Sequence, residues 1–207
     1  MLERFGAKAI VSGGDAKLLR ARLDALGGTG ACIISAGICG ALSPQLKVGD
    51  CVIADAVVAD GRRLVADAAW RARIAGRLPE ATVGAIAGSD SVLVDAQSKA
   101  ALHVSASAIA ADMESHVAAS YAAERGYPFA AVRVVSDQAD VALPPAVLTA
   151  MAGDGGIALG AVLMSLAKNP AQLPALIRTA RESEIAFRAL LRCLNRLGSG
   201  LVGTDLG

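Results

Sequence analysis

The 207-residue chain is poor in aromatic residues, which make up 3% of it, and it has two histidines and four cysteines. A core without aromatics must be filled by Ala, Val, Leu and Ile, and hydrophobic residues reach 54%. That composition suits helices packed closely against a buried parallel sheet. The cysteines Cys32, Cys39, Cys51 and Cys193 form no C-x-x-C pair. With His103 and His116 as the sole imidazoles, no metal site is expected. Scattered thiols on apolar stretches act as small core hydrophobes and fit a reducing, cytoplasmic setting. Large charge excess is lacking too, since the net charge is +1, which excludes a general nucleic-acid binder. No apolar run reaches the roughly 20 residues of a spanning helix, and the first residues do not read as a signal peptide.

What charge there is lies unevenly. Between Lys168 and Arg196 six cations stand against Glu182 and Glu184, a local +4, so the rest of the chain carries −3. No repeat, low-complexity linker or domain boundary interrupts residues 1–207, so one domain is expected, with a helical tail over 156–197.

Strand and helix signals alternate along the chain. Ala7 to Ser12 reads as a strand that ends in a Gly13-Gly14 turn and an Asp15 helix cap, with a helix over Ala16 to Leu26. Strands are expected at Ala31 to Ser35, Cys51 to Val58, Ala81 to Ala87, Ala108 to Ala111 and Phe129 to Val135. Helices are expected at Ala66 to Leu78, Asp95 to His103 and from Ser115 to about Arg125. The tail reads as three helices, Ile157 to Ala167, Leu173 to Ala180 and Glu182 to Leu197. The fold class is therefore α/β, a three-layer arrangement with a mostly parallel or mixed central sheet flanked by helices.

Ligands in such sheets gather at the carboxyl ends of strands, and three loops are candidates. In Ser35-Ala36-Gly37-Ile38-Cys39-Gly40, Gly37 and Gly40 let the backbone approach a ligand, although a strand-to-helix turn is the plainer reading. In Asp112-Met113-Glu114-Ser115, Glu114 opens a helix, where the macrodipole favours an anion that can accept from a ribose diol. Met113 offers the sugar a soft apolar surface. Helix capping is the plainer reading. In Ser136-Asp137, an aspartate ends a buried strand, and in a dry pocket it could give a proton to a departing purine. Its second oxygen would accept from a 6-amino group, which favours adenine. A turn former is the plain alternative.

In this order and spacing the three loops resemble the nucleoside phosphorylase/nucleosidase superfamily. Leu46-Lys47-Val48-Gly49-Asp50-Cys51-Val52 looks like its K-V-G-D-x-V segment, Asp112 to Ser115 like its ribose clamp, and Ser136 to Asp140 like its S-D-x-A-D purine site. The resemblance extends to the branch of hopanoid-associated phosphorylases through Asp112 to His116, Arg133 to Asp137 with Leu143-Pro144-Pro145, and Gln172 through Leu190. It implies cleavage of the glycosidic bond of a lipid-linked adenine nucleoside, adenosylhopane. Asp137 would be catalytic, and Gly37, Gly40, Met113, Glu114 and Ser136 would bind substrate. The alternatives are a soluble 5′-methylthioadenosine-type nucleosidase or a non-catalytic nucleoside-binding relative.

The resemblance implies no cofactor, with inorganic phosphate as a conceivable co-substrate, and a homo-oligomer. Relatives carry a strand and loop ahead of the matched region, and that loop supplies a Glu that activates water. Here Met1 stands just before the second strand, so those roughly 15 to 25 residues are expected to be missing. Glu3 does not match the loop. Where some relatives grip phosphate with Arg and Ser, this chain has Ser35 and Ile38, leaving Arg62 or Arg63 as other anion partners. The cationic, apolar tail helices could touch an anionic membrane surface, with packing on the core as the alternative.

Overall fold

The computed structural model describes residues 8–27, 32–144, 147, 164–166 and 168–198. Its elements in chain order are α1 (Ala16–Asp24), β1 (Ile33–Ala41), β2 (Cys51–Ala59), β3 (Arg62–Val65), α2 (Ala68–Arg77), β4 (Thr82–Gly88), α3 (Ala96–Ala106), β5 (Ala110–Asp112), α4 (Ser115–Arg125) and β6 (Phe129–Asp137). A 3-10 turn at Pro170–Gln172 then leads into α5 (Leu173–Leu197).

Short polar residues start three of the helices. Asp15, Asp67 and Asp95 accept the backbone N–H of Leu18, Trp70 and Ser98, each three residues on, at 2.9, 2.7 and 2.7 Å. Each such cap satisfies one of the orphan donors of a helix start.

The six strands run in the order β3-β2-β4-β5-β1-β6, and β2 pairs with β6 as well. Val52 and Ile53 have register partners in both β4 and β6, so these two strands lie on opposite edges of β2. The mixed sheet thereby closes on itself through β2, β4, β5, β1 and β6, with β3 continuing the β6 edge of β2. Closure removes the exposed edges that a flat sheet would leave. Three pairs are parallel (β1–β6, β2–β4, β4–β5) and three antiparallel (β1–β5, β2–β6, β2–β3).

Helices cover this sheet on separate faces. Ala118, Ala119 and Ala122 of α4 pack among Ala41, Ala54, Ala110 and Ala131, where small side chains permit close helix–strand approach. Trp70 and Ile74 of α2 and Leu197 of α5 pack on Ile53, Ala130 and Val132. Ala186, Ala189 and Leu190 of α5 cover Val134 and Ile38.

Three expectations are corrected. Residues 8–12 form no strand; Val11 is exposed, and the following turn is held by side-chain contacts instead. A short apolar run becomes a strand when an edge accepts it, which composition does not reveal. Gly37 and Gly40 lie inside β1, not in a loop after it, because β6 pairs β1 from Ile33↔Phe129 to Cys39↔Val135. Leu173 to Leu197 is one helix, since Pro174 falls in its first turn, where a missing N–H costs nothing. The expected helix over 157–167 lies largely outside the described residues.

Two glycines give opposite expectations. A Cβ on Gly88 would lie 2.3 Å from the Cβ of His116, whereas one on Gly76, inside α2, meets nothing within 4 Å. In urea denaturation Gly88→Ala is expected to lower stability by about 1–3 kcal/mol, as overpacking does. Gly76→Ala should raise it by about 0.5–1 kcal/mol, the helical cost of glycine. Equal midpoints for the two variants would contradict this packing.

Candidate active site

The site is organised from the middle of β6. Arg133 is fully buried, and its guanidinium reaches across β1. Nε donates to Asp112 Oδ2, a terminal NH2 group donates to Ser35 Oγ at 2.6 Å, and the other donates to the Val132 carbonyl at 3.2 Å. Gly37 is the register partner of Arg133, and a Cβ there would touch the guanidinium carbon at 3.7 Å, an ordinary contact. Asp112, at the end of β5, also accepts from the backbone N–H of Ser115 at 3.1 Å and from its hydroxyl at 2.5 Å. One carboxylate thus answers the buried cation and holds the first turn of α4.

Glu114 is fixed beside that turn. Its Oε1 accepts from Ser12 Oγ at 2.5 Å and from the Gly14 N–H at 2.9 Å, and Oε2 has no partner among the described residues. Gly14 has φ of +86°, which favours glycine, and the Met113 sulfur lies 4.0 Å from where its Cβ would be. Met113 and Glu114 therefore face the Ser12–Asp15 turn together. Sequence reasoning assigned that turn to helix entry and missed its part in holding Glu114.

Asp137 ends β6 at an irregularity. The β1–β6 register runs Cys39↔Val135 and then Gly40↔Asp137, so Ser136 is the extra residue of a bulge. Bulges re-aim side chains, and here the carboxylate turns onto Gly40. A Cβ on Gly40 would stand 3.0 Å from Asp137 Oδ2, so this glycine makes room for the carboxylate. The Ser136 hydroxyl lies 2.9 Å from Asp137 Oδ1 and 3.1 Å from the Cys39 carbonyl, and its one proton serves either.

The partner that sequence reasoning missed is Lys99 of α3. Its ammonium is buried and donates to Asp137 Oδ2 at 2.5 Å, to the Gln138 carbonyl at 2.8 Å and to the Val141 carbonyl at 3.0 Å. All three protons are used. The side chains are 1% and 10% exposed, so this is a buried ion pair that also staples the loop after β6. Asp137, expected as a proton donor, is here the acceptor of an ammonium's hydrogen bond. Nothing in the spacing of Gln97-Ser98-Lys99 announces this, because one lysine on a short helix reads as solvated.

The expected anion groups stand elsewhere. Ser35 is engaged by Arg133, and Ile38 packs under α5. Arg63 pairs with Asp55 and lines, with Asp67 and Tyr127, an open concavity of about 420 Å³ at the Phe129 end of β6. That concavity is at the far end of the strand from Asp137, and none of Gly37, Gly40, Met113, Glu114, Ser136 and Asp137 lines it.

Gly40 connects the halves of the site, being the register partner of Asp137 on β6 and of Ala111 on β5, one residue before Asp112. The purine-side and ribose-side residues of the expected site thus flank one strand end. In sequence, the description "Phosphorylase superfamily" matches residues 29–163. The chain belongs to the phosphorylase superfamily. Its mixed sheet with flanking helices and a C-terminal helix is the fold expected of that family.

Solved structures share the fold at low identity. The 5′-methylthioadenosine/S-adenosylhomocysteine nucleosidase of Streptococcus pneumoniae, bound to a transition-state inhibitor, superposes with a TM-score of 0.65 at 20% identity, over 94% of this chain and 80% of that one. The corresponding Helicobacter pylori nucleosidase gives 0.56 at 17%, over 88% and 75%. A futalosine hydrolase mutant from H. pylori gives 0.51 at 18%, over 58% of this chain, which spans 64% of the hydrolase. No curated protein matches the chain significantly in sequence.

Breaking the Lys99–Asp137 pair tests its weight. Removing one partner of a buried pair costs about 3–5 kcal/mol, whereas replacing both with apolar groups is often near neutral. Lys99→Met is therefore expected to lose that much in urea denaturation, and Lys99→Met/Asp137→Leu to be more stable than Lys99→Met alone. Additive losses in the two single variants would rule out the coupling.

Proposed function

We propose that this protein cleaves the N-glycosidic bond of an adenine nucleoside and releases adenine. The observation that carries the reading is the shared strand end at Gly40, with Asp137 on one side and the Asp112–Glu114 turn on the other. Glu114, with one carboxylate oxygen free of partners among the described residues, orients the ribose hydroxyls, and Met113 packs against the sugar. Asp137, ion-paired with Lys99, accepts from the 6-amino group of the purine. That geometry suits adenine, whose exocyclic group donates, and not a 6-oxopurine. The transition state carries positive charge on the ribose, which carboxylates at fixed positions stabilise without reorganising.

The substrate we favour is lipid-linked, adenosylhopane, on the resemblance of Asp112 to His116, Arg133 to Asp137 and the tail to the hopanoid-associated branch. A feature of α5 supports it. Leu173, Ile177, Phe187 and Leu191 are each about half exposed, and at 100° per residue they share one face. Arg181, Arg188 and Arg192 run alongside. This stripe suits peripheral contact with an anionic membrane, and among the described residues no helix is long and apolar enough to cross one. A soluble 5′-methylthioadenosine-type substrate is the second reading, favoured by the fold shared with such nucleosidases. We further propose a cytoplasmic homo-oligomer, with water or inorganic phosphate as nucleophile and no cofactor.

Adenine release from adenosine, 5′-methylthioadenosine and adenosylhopane, with and without phosphate, tests the activity. Asp137→Asn and Glu114→Gln should each slow it about 10²-fold or more. Full activity in both variants would sink the assignment. Binding of adenine by calorimetry without turnover would point to a non-catalytic relative. For the tail, Phe187→Asp/Leu191→Asp should abolish co-sedimentation with anionic vesicles, and recovery equal to wild type would end the membrane reading.

A further inference from the structure

Two of the four cysteines meet where the tail helix crosses the sheet. Cys51 and Ile53 lie two residues apart on β2, so their side chains share one face of the strand. Cys193 and Leu197 lie one turn apart on α5 and share one face of the helix. Leu197 packs with Ile53, and both cysteines pack against that same cluster, beside Ala130 and Val132 of β6. Cys193 therefore stands over Cys51, one layer along from Leu197 and Ile53, and the two thiols are hydrogen-bonded to each other. This end of α5 is pinned in place. Arg196 pairs with Glu80 at 2.9 Å, and Arg77 of α2 donates to the Leu197 carbonyl. Both thiols are partly exposed, whereas Cys39 is buried among the residues under α4.

The pair is electrostatically asymmetric. The hydrogen bond from Cys51 holds the Cys193 thiol down, to about 7; burial and Glu80 oppose this, and Arg192 and Arg196 support it. The same bond pushes the Cys51 thiol up, and so do burial, the Cys193 charge, Cys39 and Glu80. Near neutral pH the pair gives up one proton, and Cys193 carries the charge. A thiol of this kind attacks disulfides well, because thiolate fraction and nucleophilicity balance when the pKa lies near ambient pH. Cationic neighbours, partial exposure and a second thiol within reach mark a redox-active cysteine, not one that only packs.

We propose that Cys51 and Cys193 are a redox-active dithiol that closes to a reversible disulfide by exchange with a small-molecule disulfide of the glutathione class. The inference is independent of the glycosidic-cleavage reading above. The Cys193 thiolate attacks one sulfur of the small disulfide, breaks its S–S bond and releases one thiolate. A mixed disulfide remains on Cys193. Cys51 then loses its proton and attacks the Cys193 sulfur, which forms the internal bond and expels the second small thiolate. Two electrons pass from the protein to the small disulfide, and the protons of the two cysteines end on the two small thiols. The bond ties the tail helix to β2, the strand that closes the sheet by pairing with both β4 and β6. In a reducing compartment such a bond is transient, which suits redox sensing.

The full chain, incubated at graded ratios of reduced to oxidised glutathione, quenched with acid and alkylated, tests this. Tryptic cleavage after Lys47, Arg62, Arg192 and Arg196 yields peptides 48–62 and 193–196, one cysteine in each. Their linked pair, two hydrogens lighter than the sum, should appear as the ratio falls. The oxidised chain should melt about 5–15 °C higher, because the bond closes a long loop in the unfolded chain. Cys51→Ser should trap one glutathione on Cys193, and Cys193→Ser should react about 10-fold more slowly or less. Cys51 and Cys193 unlinked at every ratio, or joined instead to Cys32 or Cys39, would overturn the proposal. So would a linked pair that excess dithiothreitol fails to reopen in the folded protein. Should either variant not fold, the wild-type peptide map decides alone.

Discussion

A guanidinium inside a closed sheet has no water to turn to, and the architecture of this protein is arranged around that fact. Arg133 needs acceptors from more than one strand: its own β6 provides the Val132 carbonyl, β1 provides Ser35, and β5 provides Asp112. Leaving such a cation unanswered would cost several kcal/mol, on the order of 3–5. Each acceptor therefore fixes a strand relative to β6. Asp112 transmits the constraint further, since it also binds Ser115 and so sets where α4 begins. Glu114 sits inside that turn, and its orientation follows from a charge buried two strands away.

The same strand carries a second buried pair at its end. Arg133 and Asp137 are four residues apart on β6, and the bulge at Ser136 separates the regular part of the strand from the residue that faces Gly40. Arg133 anchors the strand, the bulge turns its last carboxylate, and Lys99 holds both that carboxylate and the loop beyond it. Positioning on a rigid element backed by buried partners is what a site needs if its geometry is to persist without a ligand.

Much of this was legible in the sequence, and the limits have a physical pattern. Local signals succeeded. The Asp15 cap, the β-prone run of β6 and the end of α4 at Arg125 are each decided by a few neighbouring residues, and the structure has them. Features decided by distant partners did not show. Closure of the sheet depends on β2 meeting β6, about 80 residues apart in sequence, with antiparallel register at Cys51↔Val134. The glycines of β1 looked like a loop because glycine weakens a strand, yet eight residues of β6 hold that strand in register. β3 was not foreseen at all, since Arg62-Arg63-Leu64-Val65 has no pattern until β2 offers it an edge. Lys99 is the extreme case. It is an ordinary charged residue on a helix, and burial alone distinguishes it.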